Sequence, residues 1–198
     1  MTKIRKISQT IRSKPTIEGA GVHLHRAFGS PRDTKLFDPF LLLDDFRSDS
    51  PQDYEPGFPW HPHRGIETIT YVLKGTVWHG DSMGNSGEIG EGDIQWMTAG
   101  SGIRHQEMPQ GDNDGRMYGF QLWANLPQSH KMIDPRYQEI NQKQVPAVTL
   151  EDNVHVRVIC GEVAGVRGPV ENVVIDPQYL DITVPPKKRF VFPTTRGY

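Results

Sequence analysis

Apolar and polar residues alternate with a period of two through several short runs, among them Glu67-Thr68-Ile69-Thr70-Tyr71-Val72-Leu73, Thr76-Val77-Trp78-His79 and Gly119-Phe120-Gln121-Leu122-Trp123-Ala124-Asn125-Leu126. That is the period of an extended chain, whose successive side chains point to opposite faces, so each run predicts a strand. Similar runs predict strands at 22–26, 94–97, 154–160, 173–175, 179–184 and 189–192, with one or two more polar strands within 4–17. The stretch 37–46, Phe37-Asp38-Pro39-Phe40-Leu41-Leu42-Leu43-Asp44-Asp45-Phe46, is the most hydrophobic of all, and its continuous Phe/Leu core suits a strand buried on both faces. Residues 47–60 have the Ser, Asp, Pro and Gly chemistry of a loop, and 129–137 has room for one short helix.

The runs recur every 8 to 12 residues or so and are separated by turn chemistry, as at Asp81-Ser82-Met83-Gly84-Asn85-Ser86-Gly87 and Gly90-Glu91-Gly92-Asp93. With 20 Gly and 16 Pro and only 35% hydrophobic residues, the chain has too many breakers for a helical bundle and reads as all-β, a sandwich or barrel of the jelly-roll kind. Its 198 residues allow one large or two small domains. The pattern suggests a first barrel over 1–127, a connector over 128–144 and about half of a second module over 145–198, where the chain stops at Arg196-Gly197-Tyr198. An incomplete barrel leaves open edges and an uncovered apolar face, so a homo-oligomer is expected.

The formal charge of -2 excludes a general field for phosphate backbones or anionic membranes, so no direct nucleic-acid binding is expected. The basic start of the chain (Lys3, Arg5, Lys6, Arg12, Lys14) is followed by no apolar segment of a signal or membrane span, which suggests a cytoplasmic protein. The single cysteine, Cys160, sits in an apolar run and reads as a core thiol.

Two triplets carry the chemistry. His61-Pro62-His63 precedes the run at 67–73, and His105-Gln106-Glu107 follows the turn Gly100-Ser101-Gly102. Residues two apart on a strand share a face, so each triplet can aim two donors at one point. Pro59 and Pro62 stiffen the first, and the glycines let the second bend close to it. Three imidazoles and a carboxylate suit first-row divalent ions better than Mg or Ca. On this reasoning the carboxylate is either Glu107 or Glu67, which on a regular strand would share the face of His63. A carboxylate outside the ligand set would still serve as a base or hold a ligand histidine. His23-Leu24-His25 has the same spacing but no matching partner and reads as a solvent-facing pair. His79, His130 and His155 are solitary and read as ordinary surface or hydrogen-bonded histidines.

The stretches His61-Pro62-His63-Arg64-Gly65-Ile66-Glu67-Thr68-Ile69-Thr70-Tyr71, Gly92-Asp93-Ile94-Gln95-Trp96-Met97-Thr98-Ala99-Gly100-Ser101-Gly102-Ile103-Arg104-His105-Gln106-Glu107-Met108-Pro109 and Gln121-Leu122-Trp123-Ala124-Asn125-Leu126-Pro127 resemble the pirin family of the cupin superfamily, together with 37–46 and Pro135-Arg136-Tyr137. The resemblance implies an N-terminal cupin double-stranded β-helix, here followed by a truncated second cupin. It implies one mononuclear iron(II) held by His61, His63, His105 and Glu107, with Mn, Ni, Cu, Co and Zn as alternative divalent metals. Thr98, where cupins usually have Pro, Pro109, where they have Asn, and a Gly57 closer than usual to His61 depart from the general pattern.

The resemblance further implies an iron-dependent dioxygenase that opens the ring of a flavonol such as quercetin with O2. The substrate would be a flat aromatic, Glu107 would take its hydroxyl proton, and Phe46, Phe58 and Trp60 would cover the pocket or simply pack. The alternative is a redox-responsive regulatory protein without turnover, nuclear if eukaryotic, like the pirins that act as transcription cofactors.

Overall fold

The computed structural model describes residues 5–193. Lys3 and Ile4 of the basic start, and the closing Arg196-Gly197-Tyr198, lie outside the described residues. The chain divides into two compact units, Met1–Glu139 and Ile140–Tyr198.

The first unit holds β1 (Lys14–Glu18), β2 (Val22–Phe28), β3 (Phe40–Asp45), β4 (Phe58–His63), β5 (Ile66–Lys74), β6 (Thr76–Asp81), β7 (Ser86–Ile89), β8 (Ile94–Thr98), β9 (Ile103–Gln110) and β10 (Tyr118–Asn125), and runs into β11 (Arg136–Ile140). These form a seven-stranded sheet, β1-β2-β3-β10-β5-β8-β11, and a four-stranded sheet, β4-β9-β6-β7. From β3 to β10 the chain changes sheet at every step except β6 to β7, which interleaves distant strands as a jelly roll does. Leu24 and Val72 from the large sheet pack with Val77 and Ile89 from the small one, together with Phe46, Tyr54 and Met117, in one apolar cluster. Met97, Ala99 and Ile103, with Ile66 and Tyr137, form another. On β5, Ile66 and Val72 belong to these two clusters, and Thr68 and Thr70 occupy the same face between them. The interior is therefore apolar toward each end and polar across the middle.

The second unit has a three-stranded sheet of β12 (Ala147–Thr149), β13 (His155–Cys160) and β16 (Tyr179–Thr183), and a short hairpin of β14 (Glu162–Val163) and β15 (Val166–Arg167). Its core gathers Val154, Val156, Val158 and Val163, with Phe190 and Phe192 packed against them. Cys160 is buried, as a core thiol, with its Sγ 3.9 Å from the Val170 carbonyl.

Several expectations need correction. The stretch 37–46 begins with the end of a one-turn helix, α1 (Thr34–Phe37), and β3 alternates: Leu42 and Asp44 are buried while their neighbours are partly exposed. Residues 51–54 form a second one-turn helix, α2 (Pro51–Tyr54), and Phe58 and Trp60 already belong to β4 rather than to a loop. Residues 173–175 and 189–192 carry no strand; their branched and aromatic side chains have β propensity, but burial by packing, as for Phe190 and Phe192, needs no ladder. Among the described residues no helix is long and apolar enough to cross a membrane.

Candidate metal centre

β4 is the edge strand of the small sheet, which explains how Pro59 and Pro62 fit: a residue without an N–H is tolerated where one flank has no ladder to complete. β9 lies between β4 and β6. Its alternation is strict, with Ile103, His105, Glu107 and Pro109 buried and Arg104 and Gln110 exposed. The turn before β9 depends on Gly100, whose φ of 50° is left-handed and where a Cβ would run into the Ile133 carbonyl.

Across β4 and β9 the register sets His61 opposite His105 and His63 opposite Ile103. The three imidazoles converge: ring centroids lie 4.8 Å apart for His61 and His63, 4.5 Å for His61 and His105, and 5.0 Å for His63 and His105. One ring nitrogen from each lies within 4.8 Å of the others, so the group is able to hold a metal ion. The His61 Nδ1 is 2.8 Å from the Pro59 carbonyl; donating there fixes the tautomer and leaves Nε2 with its lone pair free. Both ring nitrogens of His105 are buried without a hydrogen-bond partner among the described residues. An orphaned buried nitrogen costs on the order of 1 to 3 kcal/mol, a cost that a bound cation would offset.

The electrostatics favour the neutral, ligand-ready form at His63 and His105. Burial, reinforced by the neighbouring His105 and His61, pushes His63 down to about 3. His105 is also lowered, chiefly by burial, with the Glu107 carboxylate acting in the opposite sense. The edge of Trp123 meets His63 at a centroid distance of 5.0 Å and walls one side of the group.

The two candidate carboxylates go different ways. Glu107 Oε2 lies 3.9 Å from His105 Nε2, beside the imidazole group but outside the set of mutually close donors. Glu67 does not share the face of His63. One continuous strand would put both on one face, but β4 ends at His63 and β5 begins at Ile66 in the other sheet, with Gly65 (φ 69°) at the break. Ile66 and Thr70 line the cavity beside the imidazoles, and Glu67 alternates to the opposite face of β5, where Oε1 accepts from the Thr98 hydroxyl at 2.7 Å. His23 and His25 are exposed on β2, as expected. His130 and His155 are exposed too. His79 is 1% exposed, beside Glu107 on β6, with its Nε2 2.9 Å from Glu139 Oε1, so of the two expected roles, surface or polar-bonded, it has the second.

The imidazole group opens into a cavity of about 830 Å³. Phe46, Phe58 and Trp123 are aromatic parts of its wall, whereas Trp60 is 47% exposed and takes no part. Sequence reasoning missed a row of polar side chains across the floor. Arg26, Asp44, Gln121 and Thr70 line it and are successive register partners on β2, β3, β10 and β5, and the row continues past the cavity to Gln95 on β8. The Thr70 hydroxyl lies 2.9 Å from Glu107 Oε1 and 2.7 Å from Gln121 Oε1, two acceptors between which its one proton is shared. Their one legible signal was position: each is a polar residue on the face of its strand that the alternation assigns to the interior.

Comparison with known proteins gives the same picture. A family model described as Pirin matches residues 21–124. A pirin-like protein of Caulobacter vibrioides is 47% identical over 183 residues, 92% of this chain and 66% of that protein. Among solved structures, a quercetin 2,3-dioxygenase from Acinetobacter baumannii matches with a TM-score of 0.73 and 37% identity, over 82% of this chain and 59% of its own. A bacterial pirin from Escherichia coli in complex with nickel(II) matches with a TM-score of 0.51 and 25% identity, over 74% of this chain and 67% of its own. The chain thus spans somewhat under two thirds of the length of the first and second of these relatives.

Proposed function

This chain belongs to the pirin family, and from that premise we propose that it is a dioxygenase that holds one iron(II) ion with His61, His63, His105 and Glu107 and opens the ring of a flavonol-like aromatic with O2. The observation that carries the reading is the convergence of three imidazoles, two of them (His61 and His63) at the wall of an aromatic-lined cavity large enough for a drug-sized ring system. The name of the quercetin 2,3-dioxygenase relative supports the substrate class, and the nickel(II) complex of the bacterial pirin supports a first-row divalent ion. The donor set fits such an ion: it is borderline in softness, and His105 has no other partner for its buried nitrogens among the described residues.

When bound, iron would supply Lewis-acid polarisation of a substrate oxygen and the one-electron chemistry that activates O2. The protein's residues do the rest. Glu107, as a carboxylate, accepts the proton of the substrate hydroxyl, which makes the ring electron-rich. Thr70 orients that carboxylate from the opposite sheet, and Gln121 orients Thr70. Phe46, Phe58 and Trp123 hold a flat ring and keep water out. The test is O2 uptake with quercetin by iron-loaded protein, compared with His61→Ala. Uptake in the first and none in the second is expected, and equal rates overturn the reading. Reloading metal-stripped protein with Fe, Mn, Ni, Cu, Co or Zn in turn identifies the ion.

A further inference from the structure

The cavity has a second polar end. Arg26 donates from Nε and Nη2 to the two oxygens of Asp44, both at 2.8 Å, and from Nη1 to Glu18 at 2.9 Å. All three residues line the cavity, with Leu24, Leu42 and Phe46 as apolar wall. Asp44 is only 4% exposed. One guanidinium between two carboxylates leaves a net formal charge of one negative unit and several unused acceptor lone pairs. We infer that Glu18, Arg26 and Asp44 read the far ring of the substrate, selecting phenolic hydroxyl donors and rejecting anionic groups, so that the substrate class is a neutral polyphenol.

This rests on the dioxygenase reading for the near end of the substrate. The register supplies the length. Asp44 pairs with Gln121, and Gln121 with Thr70, whose hydroxyl reaches Glu107. Two strand spacings of ~4.8 Å put the acidic end on the order of 10 Å from Thr70, a span that a two-ring or three-ring aromatic bridges. A flat molecule anchored at the imidazoles thus lies along the polar floor with its far hydroxyls at Asp44 and Glu18. A methyl ether of the same shape offers no donor and leaves those acceptors unpaired. A carboxylate meets an acidic end of its own sign.

The experiment measures binding, without turnover, of three flavonols that differ only in the far ring: a catechol, its dimethyl ether and a carboxylate. Iron(II)-loaded full-length protein is titrated under nitrogen, with tryptophan fluorescence as the readout. The catechol is expected to bind about tenfold more tightly than the ether, and more tightly still than the carboxylate. In Glu18→Gln the end loses its excess negative charge, and the gap between catechol and carboxylate is expected to narrow about tenfold. If the triad serves only to tie β1, β2 and β3 together, Glu18→Gln lowers thermal stability and leaves that gap unchanged, which overturns the inference. Equal affinities for the three probes in the unaltered protein, or no binding of any, overturn it as well. Failure of the dioxygenase reading appears separately, as absence of O2 uptake while the order of affinities stands.

Discussion

The molecule contains the His-x-His pattern twice, and the two copies have opposite fates. His61 and His63 point into the cavity and meet His105, whereas His23 and His25 point to solvent and His23 rests 3.3 Å from Asp53. Spacing alone puts two side chains on one face of a strand but does not say which face. On β2 the residues that alternate with the histidines are Val22 and Leu24, both buried, and they claim the interior. On β4 the intervening residue is Pro62, which is exposed, so the imidazoles turn inward. The second half of the site then decides the chemistry: His105 faces His61 across a ladder, and nothing faces His25 but Asp45 and Pro15.

The largest test of this contrast removes one inner imidazole. His105→Ala is expected to reduce bound metal by more than the 10- to 100-fold that loss of a supporting partner costs, as measured by elemental analysis of purified protein. His23→Ala and His25→Ala are expected to keep the full metal content. If either outer variant loses metal, the contrast fails.

A second difference is acid sensitivity of the metal-free protein. His63 stays neutral in the fold down to about 3, whereas in the unfolded chain it takes up a proton near 6.5. Between those values the unfolded state binds the extra proton, so stability is complete above 6.5 and falls as pH falls. At 1.36 kcal/mol per unit this amounts to about 2 kcal/mol between pH 6.5 and 5. Denaturant melts of metal-free protein should show it, and His63→Gln should flatten the slope while His25→Gln leaves it in place.

Smaller again is the effect of the hydroxyl behind the carboxylate. Thr70→Val is expected to lower turnover by roughly tenfold with little change in metal content, because Glu107 loses its orienting donor while the three imidazoles are untouched. Steady-state kinetics and elemental analysis together check it. The smallest effect belongs to the outer pair: His25→Ala should shift the unfolding free energy by no more than about 0.5 kcal/mol, the usual range for an exposed position.

Much of the fold was legible in the chain. Strands at 67–73, 94–97 and 119–126 emerge as β5, β8 and β10 because a face of alternating side chains can be buried only by an extended backbone. The convergence of three imidazoles was also within reach, since two short extended triplets separated by about 40 residues suit neighbouring strands in an interleaved sheet. What was hidden depends on register between distant strands. Glu67 and Glu107 were equivalent candidates until the reversal at Gly65 changed the parity of β5 relative to β4. The polar row of Arg26, Asp44, Gln121, Thr70 and Gln95 is a product of four separate pairings, and no local pattern encodes it. The one-turn helices were invisible for a simpler reason: four residues are too few to show a period.

Because β4 lies at the margin of its sheet, two of the three imidazoles are anchored by a single neighbouring strand. Margins fray before centres do, at a cost well below that of global unfolding. Loading and release of an ion therefore need only a hinge-like parting of β4 from β9, with the rest of the sandwich undisturbed. A chelator should find its way in at that seam, and an emptied protein should refill there without passing through the denatured state.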